Sequence, residues 1–379
     1  MAASLRDIIN RYDPGASLAQ ACTIPSAWYL DPRVAELEAQ SVFFRSWQVA
    51  GRAEQLRQPG QYVTWELAGE PLIVVRGGDS VLRGFYNVCR HHAAVVITQS
   101  EGKADRLQCP YHGWTYSLEG ELTGVPDFGG VLEFDRRAMG LVPTDVAIWE
   151  KWVFVRLDRG GPSLENYLGT ELLDHMLPRT LEKYQWVEQR RYVVACNWKV
   201  FVDNYLDGGY HVPHIHRGLD SVLDYSQYAI ETGHRYCLQS SPVVTEGAEP
   251  ETSAVRTGDR AFYYWIYPNF MINWYQGTMD TNLVVPRGVD ETEVVIDFYF
   301  TDNSESARDR NLASIEIGQS IQEEDAAICR SVQKGLASRA YDTGRLSVRR
   351  EAGVHLFHRL LHADLKNGLG AVESRSEKQ

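Results

Sequence analysis

From Trp47 to about Leu157 apolar and polar positions alternate in short runs separated by turn residues, as in QYVTWEL (61–67), EPLIVVRG (70–77), VLRGFYNV (81–88), GWTYSLEG (113–120) and KWVFVRLD (151–158). Successive side chains of a strand point to opposite faces, so a period of two suits half-buried strands. A small all-β domain over 47–158 is expected. Upstream, RVAELEAQSVFFRS (33–46) has apolar residues at helical spacing just after Asp31-Pro32, a suitable helix start, and 1–46 reads as an N-terminal helical segment. Arg159-Gly160-Gly161-Pro162-Ser163 reads as a linker. Beyond it both periods occur: 189–196, 261–275, 279–286 and 291–301 predict strands, and 304–337 and 345–364 predict helices. The second domain, 159–366, is expected to be an antiparallel sheet with long helices packed on it. The polar stretch 367–379 is expected to be disordered. The class is α+β.

At 379 residues the chain has ample length for two domains with their own cores. Its 38 basic and 50 acidic residues give a formal charge of −12, which argues against nucleic acid and anionic membranes as partners. An acidic electron carrier would need a local basic patch, for which Arg83, Arg90, Lys103 and Arg106 are the candidates, the alternative being ordinary solvated surface. Six cysteines show no disulfide-like framework, the N-terminus lacks an apolar signal region, and no run is long and apolar enough to span a membrane. A cytoplasmic protein is expected. With no G-x-G-x-x-G fingerprint, no flavin or nicotinamide site is recognisable.

The chemistry concentrates in two places. Cys89-Arg90-His91 and Cys109-Pro110-Tyr111-His112 each pair one thiolate with one imidazole. Thiolates suit ferric iron bridged by sulfide, and two neutral imidazoles on one iron lower the cluster's negative charge and raise its potential. The spacing reads as a Rieske two-iron, two-sulfur cluster, with Cys89 and Cys109 on one iron and His91 and His112 on the other. Tetrahedral zinc is the rival, but pairs that each mix Cys with His fit a two-loop cluster better than a finger. His92 reads as a loop residue.

The second place is NWKVFVDNYLDGGYHVPHIH (197–216), which holds Asp203, Asp207, His211, His214 and His216. Two His and a carboxylate on one face of ferrous iron leave positions open for oxygen and substrate. An unbroken helix favours His211 with His214; His211 and His216 would lie about 140° apart. Pro213 disfavours helix at Val212 and removes that objection, so spacing alone leaves the pair open.

The runs CRHHA, CPYHGWTY, DNYLDGGYHVPHIH, YPNFMIN, MDTN and IQEEDAAICRSVQKGL resemble the oxygenase component of Rieske non-haem iron oxygenases over nearly the full length, nearest in likeness to the choline monooxygenase-like, quaternary-amine branch. The resemblance implies a helix-grip-like catalytic domain and mononuclear Fe(II) held by His211, His216 and Asp325. On a helix Asp325 falls with Ile321, Ile328 and Val332 near a buried stripe, whereas Glu324 should point outward. His214 would line the pocket or support the site. Asn204 matches a family Asn near the iron. The resemblance also implies a homotrimer in which electrons cross between subunits through an acid bridging a cluster His to an iron His. Many relatives carry that acid where this chain has Gly208, which leaves Asp207 as the candidate. Two further departures are His92 and Ala93, where many relatives have Arg-Gly.

The implied reaction is reductive oxygen activation, with ferredoxin or a flavin reductase as donor, and hydroxylation or N-demethylation of a small quaternary or tertiary amine. Seven of the aromatic side chains within 261–275 (Tyr263, Tyr264, Trp265, Tyr267, Phe270, Trp274 and Tyr275) could cage an ammonium through cation–π attraction or could simply fill a sheet core. Two alternatives remain: a ring-hydroxylating or O-demethylating oxygenase of aromatic acids, and a Rieske electron carrier without catalytic iron.

Overall fold

A computed structural model describes residues 3–244 and 246–376. The chain forms two compact units, one from Phe43–Tyr167, the other from the residues up to Val42 together with those from Leu168 onward. The N-terminal segment thus belongs to the C-terminal unit. It supplies α1 (Leu5–Asn10), α2 (Ala27–Leu30) and α3 (Pro32–Glu38). Ser4 Oγ accepts from the Asp7 N–H at 3.1 Å and closes the start of α1, and Asp31 caps α3 with Pro32 at its first turn. The helix expected over 33–46 ends at Glu38 and passes into a π-helical turn, Ala39–Phe43. Glu38 is buried and meets Lys199 Nζ at 2.7 Å, while Trp198 Nε1 donates to its other oxygen at 2.9 Å.

The Phe43–Tyr167 unit holds β1 (Gln48–Arg52), β2 (Gln61–Leu67), β3 (Glu70–Arg76), β4 (Leu82–Tyr86), β5 (Glu101–Lys103), β6 (Leu107–Gln108), β7 (Thr115–Tyr116), β8 (Leu122–Gly124), β9 (Pro143–Trp149) and β10 (Trp152–Arg156). Seven form an antiparallel sheet in the order β1-β10-β9-β4-β3-β2-β5, and β6-β7-β8 form a second. Ile73, Val75 and Phe85 are fully or nearly fully buried with Leu107, Trp114 and Tyr116, so alternate positions of both sheets share one core. The turn β4–β5 and the turn β6–β7 carry the two Cys/His runs.

The chain returns through α4 (Leu164–Leu168) and α5 (Thr170–Met176) to the other unit. Its sheet comprises β11 (Gln185–Val194), β12 (Ala229–Thr232), β13 (Tyr236–Pro242), β14 (Arg260–Ile266), β15 (Phe270–Tyr275), β16 (Thr278–Pro286) and β17 (Thr292–Phe300). The order is β11-β17-β16-β15-β14-β13-β12, antiparallel throughout. The single strand expected over 261–275 is a hairpin, broken at Tyr267-Pro268-Asn269, where proline cannot supply a ladder N–H. Helices α6 (Trp198–Leu206), α7 (Val212–Ile215), α8 (Arg217–Val222), α9 (Pro250–Ser253), α10 (Arg308–Leu336) and α11 (Ala352–Ser376) complete the unit. Helix α11 runs on into the stretch expected to be disordered; residues 377–379 lie outside the described residues.

Candidate metal centres and their cavity

The two Cys/His loops are built alike. The Cys89 N–H donates to the Ala94 carbonyl at 2.8 Å and the Ala93 N–H returns to the Cys89 carbonyl at 3.0 Å; Cys109, Gly113 and Trp114 repeat this at 2.8 and 3.1 Å. The residue four after each Cys turns left-handed, Ala93 at φ 59° and Gly113 at φ 72°. Ala93 thus fills a position that favours glycine. Both thiols are buried and unpaired in disulfides. The rings of His91 and His112 lie 4.8 Å apart, and Trp114 stacks on His91 at 4.6 Å.

Tyr116 Oη accepts from the Arg90 N–H at 2.9 Å and lies 3.4 Å from Cys89 Sγ. Burial pushes the Cys109 thiol above its ordinary value, which a bound metal would reverse. His91 Nδ1 is buried and without a hydrogen-bond partner. A nitrogen left so fits metal ligation, and the donor set fits an iron–sulfur cluster. Of the basic residues flanking these loops, Arg83 is paired with Asp79 at 2.7 Å, while Arg90, Lys103 and Arg106 are exposed.

In the other unit α6 starts at Asn197, whose side chain accepts from the Lys199 N–H, and stops at Asp207. Gly208 and Gly209 follow at φ 71° and 67°. A Cβ on Gly208 would stand 2.1 Å from the Arg350 carbonyl oxygen, so only glycine allows this reversal. The Asp207 carboxylate then accepts the N–H of Tyr210 at 3.0 Å, the N–H of His211 at 3.1 Å and His211 Nδ1 at 2.7 Å. Pro213 opens α7, a single turn, and His216 closes it.

His211 and His216 are thereby brought together, their rings 4.9 Å apart. Asp325 of α10 meets them: its Oδ1 lies 3.0 Å from His216 Nε2 and 3.7 Å from His211 Nε2, and accepts from Asn204 Nδ2 at 2.7 Å. One potential ligand atom from each of the three lies within 4.8 Å of the others. Each imidazole also gives its Nδ1 to an outer carboxylate, Asp207 for His211 and Glu324 for His216, the latter at 2.6 Å. Burial alone would lower His216, but Asp325 and Glu324 outweigh it and raise its pKa. An imidazole held between two carboxylates is a seat for a cation. Two nitrogens, one carboxylate and oriented rings fit ferrous iron.

Two expectations are corrected here. His214 is exposed and does not line the cavity, because the α7 turn points it away from His211 and His216. Glu324, expected to point outward, does start from the exposed side of α10, yet its long side chain reaches back to His216. Only its place beside Asp325 could have signalled that role.

A cavity of about 90 Å³ opens beside the three residues. Strand register supplies one wall. Gln239 pairs with Tyr263, Tyr263 with Asn273, and Asn273 with Asp280, so one cross-strand row faces one side of the sheet. Tyr205 and Tyr228 join Tyr263 in the lining; of the seven aromatic candidates Tyr264, Trp265, Tyr267 and Phe270 are buried core instead, and Trp274 lies outside this lining. Tyr275 lines a second space of about 60 Å³, which shares Leu219, Tyr263, Asn273, Ile321 and Gln322 with the first.

Residues 46–135 match the model of the Rieske [2Fe-2S] domain, and residues 181–366 that of the ring-hydroxylating alpha subunit catalytic domain. Together they define a two-centre iron enzyme, carrying a Rieske cluster and a mononuclear iron. The chain is 36% identical over 373 residues to the chloroplastic choline monooxygenase of Arabidopsis thaliana, covering 95% of this chain and 86% of that protein. It is 32% identical over 360 residues to the carnitine monooxygenase oxygenase subunit of Escherichia coli K12, covering 91% and 94%. A solved structure of the quaternary ammonium Rieske monooxygenase CntA, described for carnitine oxidation and inter-subunit electron transfer, superposes with a TM-score of 0.84 at 27% identity, over 96% of this chain and 99% of that one. The chain belongs to the Rieske non-haem iron oxygenases, as an oxygenase (alpha) component. Such a component draws its electrons from a partner. No helix among the described residues is long and apolar enough to cross a membrane.

Proposed function

We propose that the protein hydroxylates a C–H bond of a small quaternary or tertiary amine, with His211, His216 and Asp325 holding the mononuclear iron and Cys89, His91, Cys109 and His112 holding the cluster. The observation that carries this reading is the convergence of the three ligand atoms at a cavity walled by Tyr205, Tyr228 and Tyr263. Tyrosine faces attract an alkylammonium without demanding a hydrogen bond from it. The bound iron supplies oxygen activation, and the cluster supplies electrons singly. The protein's own part is orientation. Asp207 and Glu324 fix the two imidazoles with Nε2 turned to the centre, Asn204 fixes the Asp325 carboxylate, and the tyrosine walls keep water from the substrate. The similarity to choline and carnitine monooxygenases over nearly the whole chain supports the amine class.

Electrons would come through a ferredoxin or flavin reductase. A homotrimer would let one subunit's cluster serve its neighbour's iron, with Asp207 as the bridging acid, and the cytoplasm is the compartment we assign. The test is a panel of choline, glycine betaine and carnitine, set against benzoate-type aromatic acids, with a ferredoxin–reductase pair. Substrate-coupled oxygen uptake with an amine is expected. Coupling to the aromatic acids alone would overturn the amine assignment.

A further inference from the structure

The mechanism above leaves the Asp280 carboxylate, beside the iron-facing cavity, unused. Asp280 lies on β16 at the end of the row Gln239–Tyr263–Asn273, directly opposite Asn273, whose Nδ2 donates to Asp280 Oδ1 at 2.7 Å. It lines the second space and is absent from the lining of the first, which holds the three iron-facing residues. Tyr263 and Tyr275, hydrogen-bonded to each other through their hydroxyls, flank that second space. Arg256 lines it too, but its guanidinium donates to Ser314 Oγ at 2.6 Å and lies over the Tyr275 ring at 5.1 Å. A carboxylate set in an aromatic cavity attracts a cation both by charge and by the exclusion of water that strengthens it.

We propose that Asp280 is the anionic partner of the substrate's ammonium group, placing the cationic end of the molecule in the space next to the iron-facing one. This rests on the amine reading given above and goes further, by naming the residue that selects the charge. Burial raises the Asp280 carboxyl above its usual range, against the opposing Arg256 charge and Asn273 hydrogen bond, and an ammonium ion in the cavity would offset that cost of burial.

The experiment is anaerobic calorimetry on the iron-loaded, cluster-bearing protein. It compares choline with its uncharged isostere, 3,3-dimethylbutan-1-ol, in the wild type, Asp280→Asn and Asp280→Glu. Wild type should prefer choline, D280N should weaken choline by about tenfold or more with the isostere unchanged, and D280E should keep the preference. Iron content and the cluster spectrum report on folding. If D280N binds choline as tightly as wild type, Asp280 is not the partner, while the amine reading stands. Equal wild-type affinity for choline and the isostere overturns the proposal without any variant. A wild type that binds no quaternary amine but turns over aromatic acids removes both.

Discussion

At the scale of single residues, the candidate iron site is a set of side chains held from behind. His211→Ala should lower the iron content from three per chain to two and leave the cluster's visible spectrum in place; loss of both would contradict two independent centres. Asp207 and Glu324 act through the rings they orient. Substituting either with Ala should weaken iron binding or activity by about 10–100-fold, measured by iron titration of the metal-free protein. The grouping of His211, His216 and Asp325 was legible in the sequence because resemblance resolved what spacing had left open. Glu324 was not, since its backbone position faces solvent and only the reach of its side chain brings it to His216. His214 misled because three histidines in six positions look alike on paper, whereas a single helical turn after Pro213 separates them in space. Tyr205 and Tyr228 lie outside the aromatic run that drew attention to Tyr263 and Tyr275.

At the scale of elements, the alternation of apolar residues located most strands and the long helices, because a period of two or of 3.6 survives in the sequence. It did not locate Pro268 as a hairpin turn, because strand-like apolar runs flank it on both sides. Two element-level outcomes follow from the geometry. Gly208→Ala puts a Cβ against the Arg350 carbonyl at a left-handed residue, so the α6–α7 reversal must shift. It should cost about 1–3 kcal/mol of stability by thermal unfolding and lower iron occupancy, because Asp207 and His211 move with it. Glu293 of β17 ties Arg191 of β11 at 3.1 Å and Arg287 beyond β16 at 3.0 Å. Burial would raise its carboxyl, but the two guanidinium groups outweigh it and hold the pKa below 4.5. The ionised form therefore stabilises the sheet fully above pH 4.5, and that stability is lost as pH falls through the lowered value. The melting-temperature difference between wild type and Glu293→Gln should be largest near neutrality and shrink in acid.

At the scale of the whole molecule, the N-terminal segment is part of the unit that carries His211, His216 and Asp325. The buried Glu38–Lys199 pair lies at that junction. Burial depresses the Lys199 ammonium, Glu38 opposes this, and removing one partner strands the other charge. Glu38→Ala should therefore cost about 3–5 kcal/mol by denaturant unfolding, far more than an exposed ion pair. Replacing the pair together with apolar residues of like size should cost much less.

The position of the cluster-bearing unit between Val42 and Leu168 has a consequence for how the chain is made. Thr23 takes a backbone hydrogen bond to Gly344, and Cys22 bridges Arg345. The segment before the cluster-bearing unit is thus completed by residues synthesised long after it. The inserted unit has its own core within Phe43–Tyr167, so it can begin to fold while the segment before it still waits. The iron–sulfur unit would then mature first, and a chain stopped short of Gly344 would carry a cluster domain preceded by a segment lacking its backbone partners Gly344 and Arg345.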